Sequence, residues 1–405
     1  MEIRPILSAT RRNPIGALLI ALQIAVTMAV MCNTSFMIAQ QLVRMREPSG
    51  VDEANIVSFY NVWSAQSNDF KSRVQTDLVT LRSIPGVQDA TASVGMPLRG
   101  GGYNFSVALT PTDTNGITNA ALYPVDSHGL NTFGLKLRAG RNFNEGEIAD
   151  LTADHEDPSV APVLLVTHAL ADRLFPNGDA LGKSIYVGVK PATIIGIVDR
   201  MQGPRVSAAT DTMEYSIIAP FSWQGATTLY IVRTKPGQRE AVMAVIPKAL
   251  AGISRNRVTG AIATFEQTRA DAYRPYRAMV LILSTVCTLL LAITCLGIIG
   301  LTSYWVNQRR RQIGIRRALG ARRVDILMYF HTENFIVVGI GAIAGIVLGS
   351  IVNVMAAEHF SIPRMPLIYI ALSALVMVFL GQLSVLWPSL RATHISPAIA
   401  TQSRT

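Results

Sequence analysis

The sequence predicts an α-helical membrane protein with four transmembrane helices and a large α+β extracytoplasmic domain, in which a βαβ subdomain carries an inserted β-rich subdomain. Three observations lead there. The 405 residues are 50% hydrophobic and only 15% charged, against about 25% charged in soluble chains. Four apolar stretches, with Glu333 the one acid inside them, are each long enough to cross a hydrocarbon core of about 30 Å at 1.5 Å per residue. Basic residues gather at alternate ends of those stretches, as the preference of Lys and Arg for the cytoplasmic side requires.

Residues 1–14 are short and basic, with Arg4, Arg11 and Arg12. An apolar run from Ile15 to about Ala39 follows. It is longer than a signal-peptide core and lacks a small-residue cleavage site, so it reads as an uncleaved anchor with a cytosolic N-terminus. From Gln40 to Arg277 the chain is polar. Asn55–Tyr60 is a strand, Asp69–Leu81 a helix with Phe70, Val74, Leu78 and Leu81 on one face, and Val87–Val94 a second strand after the Pro85-Gly86 turn. The order repeats near the end. Thr228–Arg233 is a strand, Gln238–Ala251 a helix with Val242, Val245, Ile246 and Ala249 inward, and Val258–Phe265 a closing strand. Two such units at the two ends point to one subdomain interrupted between about Leu98 and Tyr215. That middle is rich in Gly, Pro, Asn and Asp and holds short strands, a helix at Thr167–Leu174 capped by Thr167, and an acidic surface loop at Glu145–Pro158. Three further spans follow, at about Ala278–Val306, Ile326–Met355 and Leu367–Leu386, the last ending at Trp387-Pro388.

The net charge is +10. The polar segment is nearly neutral, and the excess sits in the two termini and in the seven arginines between Arg309 and Arg323. The charge therefore sets topology, and nucleic acid is not an expected partner. Cys32, Cys287 and Cys295 all lie in apolar runs, which excludes a disulfide framework in the polar segment.

Catalytic signatures are missing from the sequence. Gly178-Asp-Ala-Leu-Gly182-Lys183-Ser184 has three residues where a phosphate loop needs four, and a strand follows it rather than a helix. The six histidines show no ligand spacing, His155-Glu156-Asp157 reads as a solvated loop, and neither a nucleophile elbow nor an acid–base carboxylate pair is present. No cofactor and no metal is expected. Glu333, an acid inside a span, is close enough to the arginines to be the partner of one of them.

Two constellations remain. Gly341, Gly345 and Gly349 recur every fourth residue in the third span and suit close helix packing, within the bundle or across a dimer. The second is the basic stretch after the interfacial pair Tyr304 and Trp305. It runs Arg309, Arg310, Arg311, Gln312, Ile313, Gly314, Ile315, Arg316, Arg317, Ala318, Leu319, Gly320, Ala321. Its apolar residues exceed what a solvated charge run needs, so it reads as an amphipathic handle offered to a cytosolic partner.

The stretch from Val306 to Ala321 resembles the signature of the MacB/FtsX-type ABC transporter permeases, and Pro388–Ala398 is similar to the usual end of that family. Leu130–Arg141, Ala169–Pro176 with Leu181–Lys183, and Ile194–Val198 resemble the MacB-like periplasmic core. The resemblance implies a division into residues 1–39 (cytoplasmic N-terminus and first span), 40–277 (periplasmic core, porter-like, with its insertion at about 98–215) and 278–405 (FtsX-like permease domain, with a cytoplasmic coupling loop at 307–325). It implies a permease without catalytic activity of its own, sited in the inner membrane with both termini cytoplasmic. Its partners would be a separate cytosolic ABC ATPase subunit, a second permease copy or a paralogue, and a periplasmic adaptor with an outer-membrane channel. The coupling loop would dock on the ATPase, with Ile313, Ile315, Ala318 and Leu319 filling a groove, and mechanotransmission would drive export or efflux. The same resemblance leaves two alternative functions for this chain, an FtsX-like regulatory membrane protein that activates an envelope hydrolase and a lipoprotein-release permease. The family commonly carries an acid where this chain has Gln312.

Overall fold

The computed structural model describes residues 14–63, 69–113, 116–152, 161–188, 190–206, 213–360 and 364–394. Arg4, Arg11, Arg12, Arg404, the His155–Asp157 run and the end of the terminal motif at 395–398 lie outside them. The chain forms two compact units, one made of the described residues up to Arg46 and from Tyr276 onward, the other of Glu47–Pro275.

In chain order the elements are α1 (Pro14–Arg46), β1 (Ile56–Trp63), α2 (Phe70–Ser83), β2 (Val87–Ser93), β3 (Gly95–Met96), β4 (Gly100–Gly101), β5 (Tyr103–Ala108) and β6 (Thr118–Val125). Next come α3 (Gly129–Phe133), β7 (Leu137–Gly140), β8 (Ala149–Thr152), β9 (Val163–Thr167), α4 (His168–Leu174), β10 (Ser184–Val187), β11 (Lys190–Val198) and β12 (Ser216–Gln224). The run closes with β13 (Thr227–Thr234), α5 (Arg239–Ile253), β14 (Arg257–Thr259), β15 (Ala263–Thr264), α6 (Phe265–Ala272), α7 (Arg274–Gln308), α8 (Arg310–Ala318), α9 (Arg323–Phe360) and α10 (Leu367–Thr393).

Among the described residues four helices, α1, α7, α9 and α10, are long and apolar enough to cross a membrane. All outrun the apolar stretches that announced them, because an uncharged run marks only the lipid-embedded part while helical hydrogen bonding continues past it. The expected stop at Trp387-Pro388 does not occur, and α10 continues through Pro388 to Thr393. Proline has a helix-compatible φ, so it costs the helix a hydrogen bond without ending it here. Ile24, Met28 and Cys32 of α1 share one core with Ile298 and Trp305 of α7, Val338 of α9 and Met377 and Val385 of α10.

The glycine stripe of α9 faces α1. A Cβ at Gly345 would fall 2.6 Å from both the Ala25 carbonyl oxygen and the Met28 Cβ, and one at Gly341 2.8 Å from the Ala21 carbonyl. Gly349 is looser, with Ala29 Cα at 3.2 Å, and Asn33 Nδ2 donates to the Gly349 carbonyl at 3.1 Å. By contrast, α7 meets α1 along a polar seam. Thr27 Oγ1 and Thr294 Oγ1 are 2.9 Å apart, and Thr34 Oγ1 lies 2.7 Å from Cys287 Sγ. Much of α7 is apolar surface for lipid, including Leu281, Ile282, Leu289 and Leu296. The three cysteines are free thiols.

In the other unit, β14-β1-β13-β2 form one sheet, with β15 also on β1. Strand β13 is antiparallel to both β1 and β2, and β14 is antiparallel to β1. Each βαβ crossover therefore steps over one strand of the other, a split βαβ arrangement. Val74, Leu78 and Leu81 of α2 and Val242, Ile246 and Leu250 of α5 cover Val57, Phe59, Tyr230 and Val232. Val245 was expected inward but is 44% exposed. The i, i+4 ridge through Val242 and Ile246 leads to Leu250 instead. Asp77 is buried among these residues, where its Oδ2 accepts from Tyr230 Oη at 2.6 Å and Arg257 Nη1 at 2.7 Å. The expected closing strand Val258–Phe265 divides into β14 and β15, and Phe265 opens α6. Thr264 Oγ1 accepts from the Gln267 amide at 3.1 Å and Gln267 Oε1 from the Thr264 amide at 3.0 Å, a capping box that starts a helix there.

The insertion is a barrel. Strands β10-β5-β6-β12-β9-β11 follow one another, and β11 pairs back to β10, with β7 and β8 appended to β11 and β12. Leu122, Leu164, Val166, Ile185, Ile194 and Ile217 fill it, and α4 covers it with Leu170 and Leu174. The barrel runs past the expected limit at Tyr215, because β12 pairs with β6 and β9 from Ser216 onward. Thr167 precedes α4 but makes no side-chain cap. Its hydroxyl donates to the Glu214 carbonyl at 2.6 Å and accepts from the Ser216 amide at 3.2 Å, fastening β12 instead. Within the expected loop at Glu145–Pro158, Glu145–Glu147 is a 3-10 turn and Ala149–Thr152 is β8; residues 153–158 are outside the described ones.

Candidate coupling site

The basic stretch is a short helix held between two long ones. After Arg309, residues Arg310–Ala318 form α8. It ends on Gly320 at φ +98°, with the Ala321 amide donating to the Arg316 carbonyl at 3.0 Å and the Gly320 amide to the Arg317 carbonyl at 3.2 Å. That is a Schellman closure, and it needs the left-handed conformation glycine adopts without strain. Two residues on, Asp325 Oδ2 accepts from the Arg322 amide at 2.9 Å and caps the start of α9.

Three of the seven arginines bind the helix to its own bundle. Arg309 Nη1 and Nη2 donate to Glu333 Oε2 and Oε1 at 2.7 and 3.1 Å, and Nη1 also to Tyr329 Oη at 3.2 Å. The Glu333 side chain is 1% exposed, and this bidentate pair supplies the arginine partner expected for it. The Arg316 guanidinium stands 5.2 Å over the Tyr329 ring. Arg317 Nη1 donates to the Thr393 carbonyl at 2.8 Å, at the end of α10, where a cation suits the helix dipole.

The apolar residues divide in two. Ile313 and Gly314 are buried, with Ile313 packed in the bundle core beside Ile326 and Phe330. The expectation that Ile313 fills a partner groove is therefore corrected: one turn of helix carries it to the inner face. Ile315 and Leu319 stay outward, at 44% and 83% exposed, with Arg310, Arg311, Gln312, Ala318 and Gly320 also exposed and Ala321 half-buried. Sequence reasoning missed Tyr329 and Thr393, which meet the arginines only through the fold. No group of three His, Cys, Asp or Glu suited to a metal occurs among the described residues.

Two family models match this chain, and both belong to the ABC transporter permeases, a class that works with an ATPase. The FtsX-like permease C-terminal model matches residues 284–397, and the MacB-like periplasmic core domain model matches residues 18–249. The chain belongs to the MacB/FtsX-type ABC permeases, as a multi-pass membrane protein with an extracytoplasmic domain of the periplasmic type. One matched region is a permease C-terminal region and the other a periplasmic core domain. The uncharacterized ABC transporter permease YvrN of Bacillus subtilis is 24% identical over 310 residues, covering 74% of each chain. The macrolide export ATP-binding/permease proteins MacB of Neisseria gonorrhoeae and Chromobacterium violaceum are 26% and 27% identical, over 64% and 74% of this chain. The chain spans only 40% and 47% of the length of those two. The crystal structure of the periplasmic region of MacB from Actinobacillus actinomycetemcomitans aligns with 56% of this chain and 97% of its own, at 16% identity and a TM-score of 0.33.

Proposed function

We propose that this chain is the permease subunit of a MacB-type ABC transporter, moved by a separate cytosolic ATPase subunit that docks on α8 and driving export or efflux by mechanotransmission. The observation that carries this reading is a helix fixed on one side and open on the other. Arg309, Ile313 and Arg317 fasten α8 to α9 and α10, while Leu319 and Ile315 present exposed apolar side chains. Force applied to such a helix passes to the spans instead of being lost in loop motion. Covalent continuity supplies the next step, since α7 begins just after α6 of the outer unit.

The positive-inside rule puts α8 and both termini in the cytoplasm of an inner-membrane protein and the Glu47–Pro275 unit in the periplasm. A second permease copy or a paralogue completes the transporter, and a periplasmic adaptor with an outer-membrane channel continues the path. Gln312 is exposed beside the docking residues, where it offers a neutral hydrogen-bonding group in place of the acid common in the family.

The test replaces both Ile315 and Leu319 by Asp in the full chain, reconstituted with its ATPase. Apolar anchors at an interface centre contribute about 2 kcal/mol or more each, so permease-stimulated ATP hydrolysis falls to the level of the ATPase alone while membrane insertion is unchanged. Stimulation that survives in the double variant rules the docking assignment out.

A further inference from the structure

Between the edge of the barrel and the loop that leads into it lies a cavity of about 390 Å³, within the size range of small-molecule sites. Ala121, Val206 and Met213 give it an apolar wall, and Asn104 and Asn119 add amides. Arg205, exposed at its rim, is the single charged residue among the described residues that line it. Its floor is Gly101-Gly102, both at positive φ, and a Cβ at Gly102 would stand 3.6 Å from the Pro204 side chain. Beside Gly203, Gln202 is fully buried with both side-chain amide atoms lacking a hydrogen-bond partner.

The floor is also tied to a distant element. Leu98 has φ +64°, the one non-glycine in the left-handed region among the described residues, and its amide donates to the Gly203 carbonyl at 3.2 Å. The Gly100 amide donates to the Pro204 carbonyl at 2.7 Å. Between them Arg99 turns the other way. Its Nη1 donates to Ser58 Oγ at 2.7 Å and Thr268 Oγ1 at 3.4 Å, with the guanidinium 5.2 Å from the Tyr60 ring centre. Thr268 belongs to α6, the helix directly before α7. The strained Leu98 position is maintained because its own amide, the Arg99 side chain and the Gly100 amide are all held.

We infer that the cavity binds a small anionic amphiphile, whose acidic head pairs with Arg205 while its apolar body lies on Met213 and Val206, and that Arg99 conveys its occupancy to α6. The site goes beyond the proposed transport role and does not depend on the ATPase. Among the described residues that line it, Arg205 is the one charge beside an apolar wall, a pairing that favours a ligand carrying a negative head on an apolar body.

The full-length Asn119→Cys variant in phosphatidylcholine nanodiscs, labelled with a bimane maleimide, is titrated with decanoate and with decyltrimethylammonium. Unsubstituted chain carried through the same labelling supplies the background from the three native thiols. Decanoate gives a saturable emission shift, with half-saturation at least tenfold below that of the cation and raised at least tenfold by Arg205→Glu, an exposed change that leaves the fold alone. A response linear in probe concentration, or one indifferent to charge and to Arg205→Glu, reports partition into lipid and overturns the site. Hydrogen exchange reads the second half. Decanoate slows amide exchange in α6, and this slowing disappears in Arg99→Gln and in Thr268→Val while the bimane titration is retained. Equal slowing in either variant overturns the link through Arg99.

Discussion

At Glu333 the side chain is 1% exposed and its partner Arg309 15%, so the carboxylate has no water as an alternative and the guanidinium little. Removing one member of a buried pair typically costs about 3–5 kcal/mol, because the other is left unpaired. Glu333→Gln should therefore lower the melting temperature of the detergent-solubilised chain markedly, and adding Arg309→Gln should recover part of the loss; a double variant no better than the single would count against pairing as the cause. A second residue responds to pH. The Arg141 guanidinium, and after it the Asn144 amide, hold the Glu147 carboxyl down from 4.5 to about 2. A carboxyl depressed by folding adds stability above its unfolded value, and that contribution is lost as the pH falls through the folded one. Glu147→Gln should thus flatten the acid dependence of the outer unit's melting between pH 4.5 and 2, and an unaltered slope would show that the pair carries no stability. The sequence made Glu333's need for an arginine legible, since an acid in an apolar run must be matched. It did not say which arginine, nor that Ile313 turns inward, because both follow from where α8 lands on α9.

Among elements, the α1–α9 pair gives the sharpest contrast. Gly345 has the Ala25 carbonyl 2.6 Å from where a Cβ would sit, whereas Gly339 on the same helix has nothing within 4 Å. Overpacking of this kind costs roughly 1–3 kcal/mol, so Gly345→Val should reduce the yield of folded chain and its thermal stability while Gly339→Val should not. Comparable losses in both would point to helix propensity rather than packing. Spans were easy to read because lipid imposes length and apolarity on every helix that crosses it. Strand–helix–strand order at both ends of the polar segment was legible too, from period-2 and period-3.6 patterning. The interleaving of the two units was not, since strand order depends on pairing between residues far apart, such as Phe59 with Tyr230. The Thr264–Gln267 capping box was present in the sequence, but the β-rich residues before it masked the start of α6.

For the molecule as a whole, motion of α7 against α1 is the step the proposed mechanism requires, and Cys287 provides a native handle on it. Thr34 Oγ1 lies 2.7 Å from Cys287 Sγ, so Thr34→Cys should crosslink to it under mild oxidation. The crosslinked chain should lose permease-stimulated ATP turnover and regain it on reduction; full turnover in the oxidised form would mean that the seam need not slide. The barrel has its own consequence at this scale. Strand β2 ends at Ser93, which pairs with Leu229 of β13, so everything between them is, in topological terms, the loop of one β-hairpin. A hairpin can be closed by two residues. The barrel thus enters and leaves the sheet through adjacent strand ends, and a different loop could take its place only if it preserved the bonds that cross the junction, such as Arg82 and Thr91 to Asp126 and Arg99 to Ser58.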